Sequence, residues 1–168
     1  MTRSMAAERL ALLACLDAQR SSVLAIVDDL DEASWRTSVI PSGWTPAGLV
    51  EHLGHAERFW SQIVLADRVS PLPWTHDEED DDTTGFVSRH AVDDVIGFYR
   101  DQCARTDEIL DGLALDDRPP GVRRPDLPTP VADVRDVVLH LVEETARHAG
   151  HLDIACELMD GRTGRGVR

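Results

Sequence analysis

The feature that most constrains the fold is a C-terminal segment in which ionisable side chains lie along an apolar helical stripe. From about residue 132 to residue 160, apolar side chains recur at steps of three and four residues, the period of a helix with one buried face. The stripe contains Val134, Val138, Leu141, Thr145, Leu152, Cys156 and Met159. With this phase, His148 lies within the stripe, and Glu144 and His151 lie at its edge. Burying a carboxylate and an imidazole without partners is costly, so the fold has to supply partners for them.

The rest of the chain predicts three more helices of the same kind. Helical spacing of apolar residues covers about residues 4–30, 45–66 and 91–113, in addition to 132–160. Thr45 followed by Pro46 is typical of a helix start, and Gly161 is typical of a helix end. We therefore predict an all-α fold, a four-helix bundle with long connections, in a single domain over residues 1–168.

The second predicted helix offers an imidazole that could complete a metal site with Glu144 and His148. These two residues are one turn apart, so both can reach one ion, and a divalent metal usually takes at least one more protein ligand. His52 lies within roughly 60° of the centre of the apolar face of its helix, whereas His55 lies roughly 120° away. The spacing leaves two interpretations open: a metal site, or an ion pair between Glu144 and His148 beside a hydrogen-bonded core histidine.

Charge and composition exclude several classes of partner. The net charge is −14, which argues against binding to nucleic acid or to an anionic membrane. No run reaches the ~18 apolar residues of a membrane span, and the N-terminus lacks the pattern of a cleavable signal peptide. The three cysteines lie far apart and predict neither a disulfide framework nor a zinc knuckle. We expect a cytoplasmic protein.

A long connection between the second and third helices lacks helical periodicity. Its acidic run at residues 77–82 does not have the alternating spacing of a calcium loop, and we predict a solvated loop there. Loops of this length are often pocket walls, so Trp74 and Phe86 are candidates for the border of a cavity.

Two segments resemble the DinB/YfiT-like superfamily of metal-binding four-helix bundles. They are residues 43–60, GWTPAGLVEHLGHAERFW, and residues 143–154, EETARHAGHLDI. The similarity extends over nearly the whole chain. It is strongest to an actinobacterial domain-of-unknown-function branch, which is related to the mycothiol-dependent maleylpyruvate isomerases.

The resemblance implies a metal site and a cofactor. His52, Glu144 and His148 correspond to the metal ligands, with Glu144 at the first position of the His-x3-His pattern found in many members. His151 would orient a ligand or substitute for one. The metal would be zinc, or alternatively nickel or iron, and the co-substrate would be a low-molecular-weight thiol such as mycothiol. Arg58, Arg147 and Trp74 are candidates for binding the substrate.

Two classes of function follow from the resemblance. The first is a metal-dependent thiol S-transferase or isomerase that acts on a small electrophile, in which a metal-bound water or thiol is the reacting group. The second is a metal- or small-molecule-binding stress protein without turnover. The resemblance also implies a homodimer.

Overall fold

The computed structural model of the chain describes residues 2–68, 70–74, 86–120 and 131–164, and side chains from residue 5 onward. Its helices are α1 (Thr2–Val27), α2 (Glu32–Trp35), α3 (Pro46–Arg58, continued by a π-helical stretch at Phe59–Leu65), α4 (Val92–Asp111) and α5 (Val134–Asp160). The described ranges contain no strand, so the predicted all-α class is confirmed. The acidic run at residues 77–82 lies outside the described residues.

The predicted helix boundaries are close but not identical to those in the structure. Thr45 caps α3 as predicted, since its hydroxyl accepts the N–H of Gly48 at 3.1 Å. Gly161 ends α5 with a φ of +74°, a conformation that glycine adopts without a steric penalty. The first helix ends at Val27 rather than Leu30, because Asp31 caps the separate helix α2 by accepting the N–H of Ser34.

Contacts between side chains give the direction of the outer helices. Arg135 near the start of α5 pairs with Glu8 near the start of α1, at 2.6 Å. Cys156 near the end of α5 contacts the carbonyl of Ile26 near the end of α1, at 3.7 Å. Helices α1 and α5 are therefore parallel.

Helix α3 runs in the opposite direction to α5 and parallel to α4. His52 of α3 contacts Glu144 of α5. Trp60 lies further along α3, and its ring packs against that of His140, which comes earlier in α5. Gly54 lies beside Phe98 of α4, and further along both helices Gln62 donates a hydrogen bond of 2.7 Å to Gln102. The four long helices thus run up, down, down and up, so the connection between α3 and α4 has to return along the bundle to the end where α3 begins.

The core consists of two apolar clusters separated by a buried ion pair. One cluster surrounds the first turns of α3, and the other surrounds its π-helical end. Between them, Arg20 of α1 binds Glu57 of α3 through two hydrogen bonds of 2.7 and 2.9 Å. Arg20 is 5% exposed and Glu57 is 1% exposed. This pair ties α1 to α3, and a further bond of 2.7 Å from Arg20 to Asp107 ties both to α4.

Helix α1 is long and apolar enough over Met5–Val27 to cross a membrane, by length and composition alone. The signal is weak, because the core helix of a soluble protein passes the same test. The expectation from the sequence rested on the lack of an unbroken apolar run. The mean hydropathy of an 18-residue window stays high even though Asp17 and Arg20 interrupt the segment. In the structure, Leu16, Val23 and Ile26 of this helix are buried in the bundle.

Candidate metal centre

The structure brings His52 of the first turns of α3 together with Glu144 and His148 of the middle of α5. The Nε2 atom of His52 lies 2.9 Å from Oε1 of Glu144, and Nε2 of His148 lies 3.1 Å from the same oxygen. One ligand atom from each residue lies within 4.8 Å of the other two. We refer to these three residues as the triad.

The local folding of two helices explains this convergence. The i,i+4 spacing puts Glu144 and His148 on one face of α5, and the antiparallel packing of α3 brings His52 across from them. His148 is 7% exposed, as expected from its position inside the apolar stripe. The side chains of His52 and Glu144 are 27% and 22% exposed, so this side of the triad is in contact with solvent.

Electrostatics make Glu144 the anionic member of the triad. Hydrogen bonds to its carboxyl group from His148 and then from His52 hold its pKa well below the usual range, although burial acts in the opposite direction. The carboxylate is therefore ionised at neutral pH. One carboxylate and two imidazoles form a donor set that suits zinc and other first-row divalent ions. Two ligand atoms that are each about 2.1 Å from one ion lie at most about 4.2 Å apart, and the two measured nitrogen–oxygen distances fall within this limit.

His151 lies behind His148 rather than inside the triad. Its Nδ1 atom is 3.3 Å from Nδ1 of His148, the ring nitrogen on the side away from Glu144. Burial lowers the pKa of His151, and the neighbouring His148 adds to this effect, which favours a neutral ring that can accept a hydrogen bond. Histidines that bind metals usually donate their second ring N–H to such a partner. The position of His151 therefore fits a residue that orients a ligand.

The predicted substrate-binding residues make their polar and ring contacts with residues outside the triad. Arg58 donates a hydrogen bond of 2.6 Å to the carbonyl of Ser70, and burial lowers its pKa. Arg147 has an exposed side chain that pairs with Glu143 at 3.3 Å. Trp74 stacks on His90 with ring centroids 4.1 Å apart. A role of Arg58, Arg147 and Trp74 in substrate binding remains a prediction.

Trp74 packs on a second cluster of ionisable residues, Glu51, His55 and His90, which sequence reasoning did not identify as a cluster. Oε1 of Glu51, a residue only 8% exposed, lies 3.7 Å from Nε2 of His55 and 3.8 Å from Nε2 of His90. The i,i+4 spacing of Glu51 and His55 is a signal in the sequence. The sequence gives no signal for the participation of His90, because His90 lies in the connection between α3 and α4.

Phe86 is the aromatic residue that the structure places directly on the triad. Its ring stacks on the ring of His52, with centroids 4.1 Å apart and an interplanar angle of 25°. That Phe86 borders a cavity stays a prediction, and its stacking on His52 was not predicted. No periodicity in the connection could have revealed this contact.

Comparison with known protein families identifies the family of this chain. A family model described as mycothiol-S-transferase matches residues 11–161, a range that includes the whole triad. This family belongs to the DinB/YfiT-like superfamily, so the resemblance found in the sequence is confirmed. No curated protein and no solved structure matches the chain.

Proposed function

We propose that this chain, which belongs to the mycothiol-S-transferase family, is a metal-dependent enzyme that joins mycothiol through its sulfur atom to a small electrophile. The family match supports a thiol transferase. The metal dependence rests on one observation, the convergence of His52, Glu144 and His148 on a common centre. Zinc is the ion that this donor set most commonly binds, and nickel or iron would also suit it. We expect the protein to act in the cytoplasm.

The residues around the triad provide what a thiol transfer needs. A divalent ion bound there would lower the pKa of a coordinated thiol and hold the thiolate close to the electrophile. Glu144 contributes one negative charge and the two neutral imidazoles contribute none, so the loaded site keeps a net positive charge that favours a thiolate. His52 and Glu144 are partly exposed to solvent, the side from which a thiol and an electrophile would approach, while His148 is buried in the bundle.

Metal content and turnover test this proposal. We expect the purified protein to hold about one divalent ion per chain and the His148→Ala variant to hold almost none, because a site with two remaining ligands binds weakly. Glu157→Ala is a matched control on the same helix, since Glu157 is exposed and lies outside the triad. Elemental analysis measures the content, and consumption of mycothiol with a panel of electrophiles measures turnover.

The results separate the two classes of function. Loss of both metal and mycothiol consumption in His148→Ala, with the Glu157→Ala control unaffected, would support the enzyme. Unchanged metal content in His148→Ala would refute the assignment of the site. A full complement of metal in the wild type, with no turnover over the whole panel, would instead favour a binding protein without catalysis.

A further inference from the structure

We infer that Phe86 is a positioning residue of the metal centre, and that its ring holds the imidazole of His52 in the orientation in which Nε2 faces Glu144. The inference rests on the proposed metal site and adds a residue from outside the helices to it. Phe86 lies where the connection between α3 and α4 returns to the start of α3, and 38% of it remains exposed. It therefore forms the outer wall of the site.

The ring of Phe86 contacts both imidazoles from the same side. It stacks on His52 at 4.1 Å and presents an edge-to-face contact to His148, with centroids 5.9 Å apart and an interplanar angle of 87°. The two imidazoles are themselves 5.0 Å apart at 74°. Rotation of the His52 ring about its side-chain bonds would break the stacking with Phe86.

The two imidazoles of the triad are oriented by different means. His148 uses Nε2 toward Glu144 and has His151 at its other ring nitrogen. His52 also uses Nε2 toward Glu144, but within the described part of the chain its remaining close partner is the face of Phe86. The orientation of a ligand affects metal affinity. The ring of Phe86 fixes the orientation of the His52 imidazole, as His151 fixes that of His148.

The backbone of Phe86 is fixed by the first turn of α3. The N–H of Thr45 donates a hydrogen bond of 3.0 Å to the carbonyl of Phe86. Gly48 lies directly beneath this carbonyl, and a Cβ at Gly48 would lie 1.9 Å from its oxygen and 2.1 Å from its carbon. Only glycine permits this approach. Since Gly48 and His52 are at i and i+4, one face of α3 holds both the backbone of Phe86 and the imidazole on which its ring stacks.

Titration with cobalt(II) tests the inference, because both its affinity and its visible absorption report on ligand geometry. We expect Phe86→Ala to bind cobalt about two- to tenfold more weakly, as for loss of one aromatic pair, and to show an altered spectrum. Phe86→Tyr should retain wild-type affinity. Gly48→Ala keeps the ring but displaces the loop, so it should shift affinity and spectrum in the same direction as Phe86→Ala.

Two variants are matched controls. Val87→Ala truncates the neighbouring side chain of the loop, and Gly97→Ala adds a Cβ that meets nothing within 4 Å. Both should leave cobalt binding unchanged. Circular dichroism checks folding, and Phe86→Leu, which keeps an apolar side chain without a ring face, replaces Phe86→Ala if that variant does not fold.

The outcomes distinguish failure of the inference from failure of the metal site. If the wild type binds no cobalt, or His52→Ala binds as well as the wild type, the proposed site itself is wrong. If the wild type binds and His52→Ala does not, but a folded Phe86→Ala or Phe86→Leu keeps wild-type affinity and spectrum, the role of Phe86 is refuted. An equal loss in Val87→Ala would also refute it, because the effect would then belong to the loop and not to the ring.

Discussion

Glu144 accepts hydrogen bonds from imidazoles on two different helices, so its charge is coupled to the packing of α3 on α5. The bonds from His148 and His52 keep the pKa of Glu144 well below its ordinary value of 4.5. A carboxyl group with a lowered pKa in the folded state stabilises the fold at pH values above its unfolded-state pKa. That stabilisation is lost as the pH falls through the folded-state pKa.

This coupling predicts a pH dependence for the metal-free protein. The contribution of Glu144 to the free energy of unfolding should be complete above pH 4.5 and should decline as the pH falls below that value. In Glu144→Gln this part of the pH dependence should be absent. Chemical denaturation of both proteins at a series of pH values, after removal of metal with a chelator, measures the difference.

The neighbouring residue Glu143 is the control for this experiment. Its side chain is 69% exposed and pairs with Arg147, so Glu143→Gln should leave the pH profile close to that of the wild type. Equal slopes below pH 4.5 for wild type and Glu144→Gln would show that the two imidazoles do not stabilise the carboxylate.

At the residue scale, the sequence predicted the members of the triad better than its surroundings. The helical period fixes the phase of α5 and of the first turns of α3, and phase alone places His148 inward and Glu144 beside it. The period also places His52 on the apolar face of its helix, but that His52 meets Glu144 follows from the antiparallel packing of α3 and α5, which the period does not give. Phe86 could not be predicted, because its contact depends on the path of a connection without any period.

The buried ion pair between Arg20 and Glu57 is the main polar link between α1 and α3. We predict that Glu57→Gln lowers the free energy of unfolding by about 3–5 kcal/mol, because it removes the buried carboxylate that faces Arg20 and leaves only the exposed carboxylates of Asp107 and Asp17 as its charged partners. Asp17→Asn removes another partner of Arg20, but the Asp17 side chain is 65% exposed, so it should cost at most about 1 kcal/mol. Denaturant unfolding of both variants provides the comparison.

A double variant separates two contributions to the loss of unfolding free energy: the cost of a buried charge whose buried partner is removed, and the stabilisation by the ion pair itself. Replacing both residues, as Arg20→Met with Glu57→Met, should cost less than Glu57→Gln alone, since apolar side chains carry no desolvation penalty. A loss below 1 kcal/mol in Glu57→Gln would mean that water reaches Arg20 despite its burial. This link was missed in the sequence because a single arginine within the apolar pattern of α1 gives no sign of its partner.

At the element scale, the existence of the four long helices was predictable and their internal irregularities were not. Apolar residues keep a helical spacing through Ile63, but the structure changes from an α-helix to a π-helix at Phe59. This change alters the direction of side chains after the first turns, while the hydrophobic period remains similar. A helical wheel is therefore reliable for His52, which precedes the change, and unreliable at Arg58, which adjoins it.

The order of helix directions explains where the site is and why the connection between α3 and α4 contributes to it. Two consecutive parallel helices require a connection that runs the length of the bundle. It ends beside the start of α3, so Phe86 and His90 lie next to the first turns of α3, which carry His52. The length of this connection was visible in the sequence, but its destination followed only from the parallel packing of α3 and α4.

The outer surface of α5 leads to a prediction about assembly. Ile154 and Leu158 are 56% and 61% exposed and lie one turn apart, so they form an apolar strip on the helix that carries Glu144 and His148. Exposed apolar strips on helices are typical of interfaces between subunits. We predict that this strip pairs with its copy in a second chain, as the family resemblance implies, and forms a two-fold symmetric homodimer.

Charge substitution tests the dimer. A double variant with Ile154→Glu and Leu158→Glu would place four carboxylates in a symmetric interface, and we expect it to be monomeric in size-exclusion chromatography with light scattering. Leu10→Glu is the control, because Leu10 is 72% exposed on α1, and α1 and α5 run parallel, with Leu10 near the end opposite Ile154 and Leu158. A monomeric wild type, or a double variant that remains dimeric, would contradict the prediction. If the double variant is monomeric and still binds metal, the triad is complete within one chain, since all three of its ligands come from α3 and α5 of the same subunit.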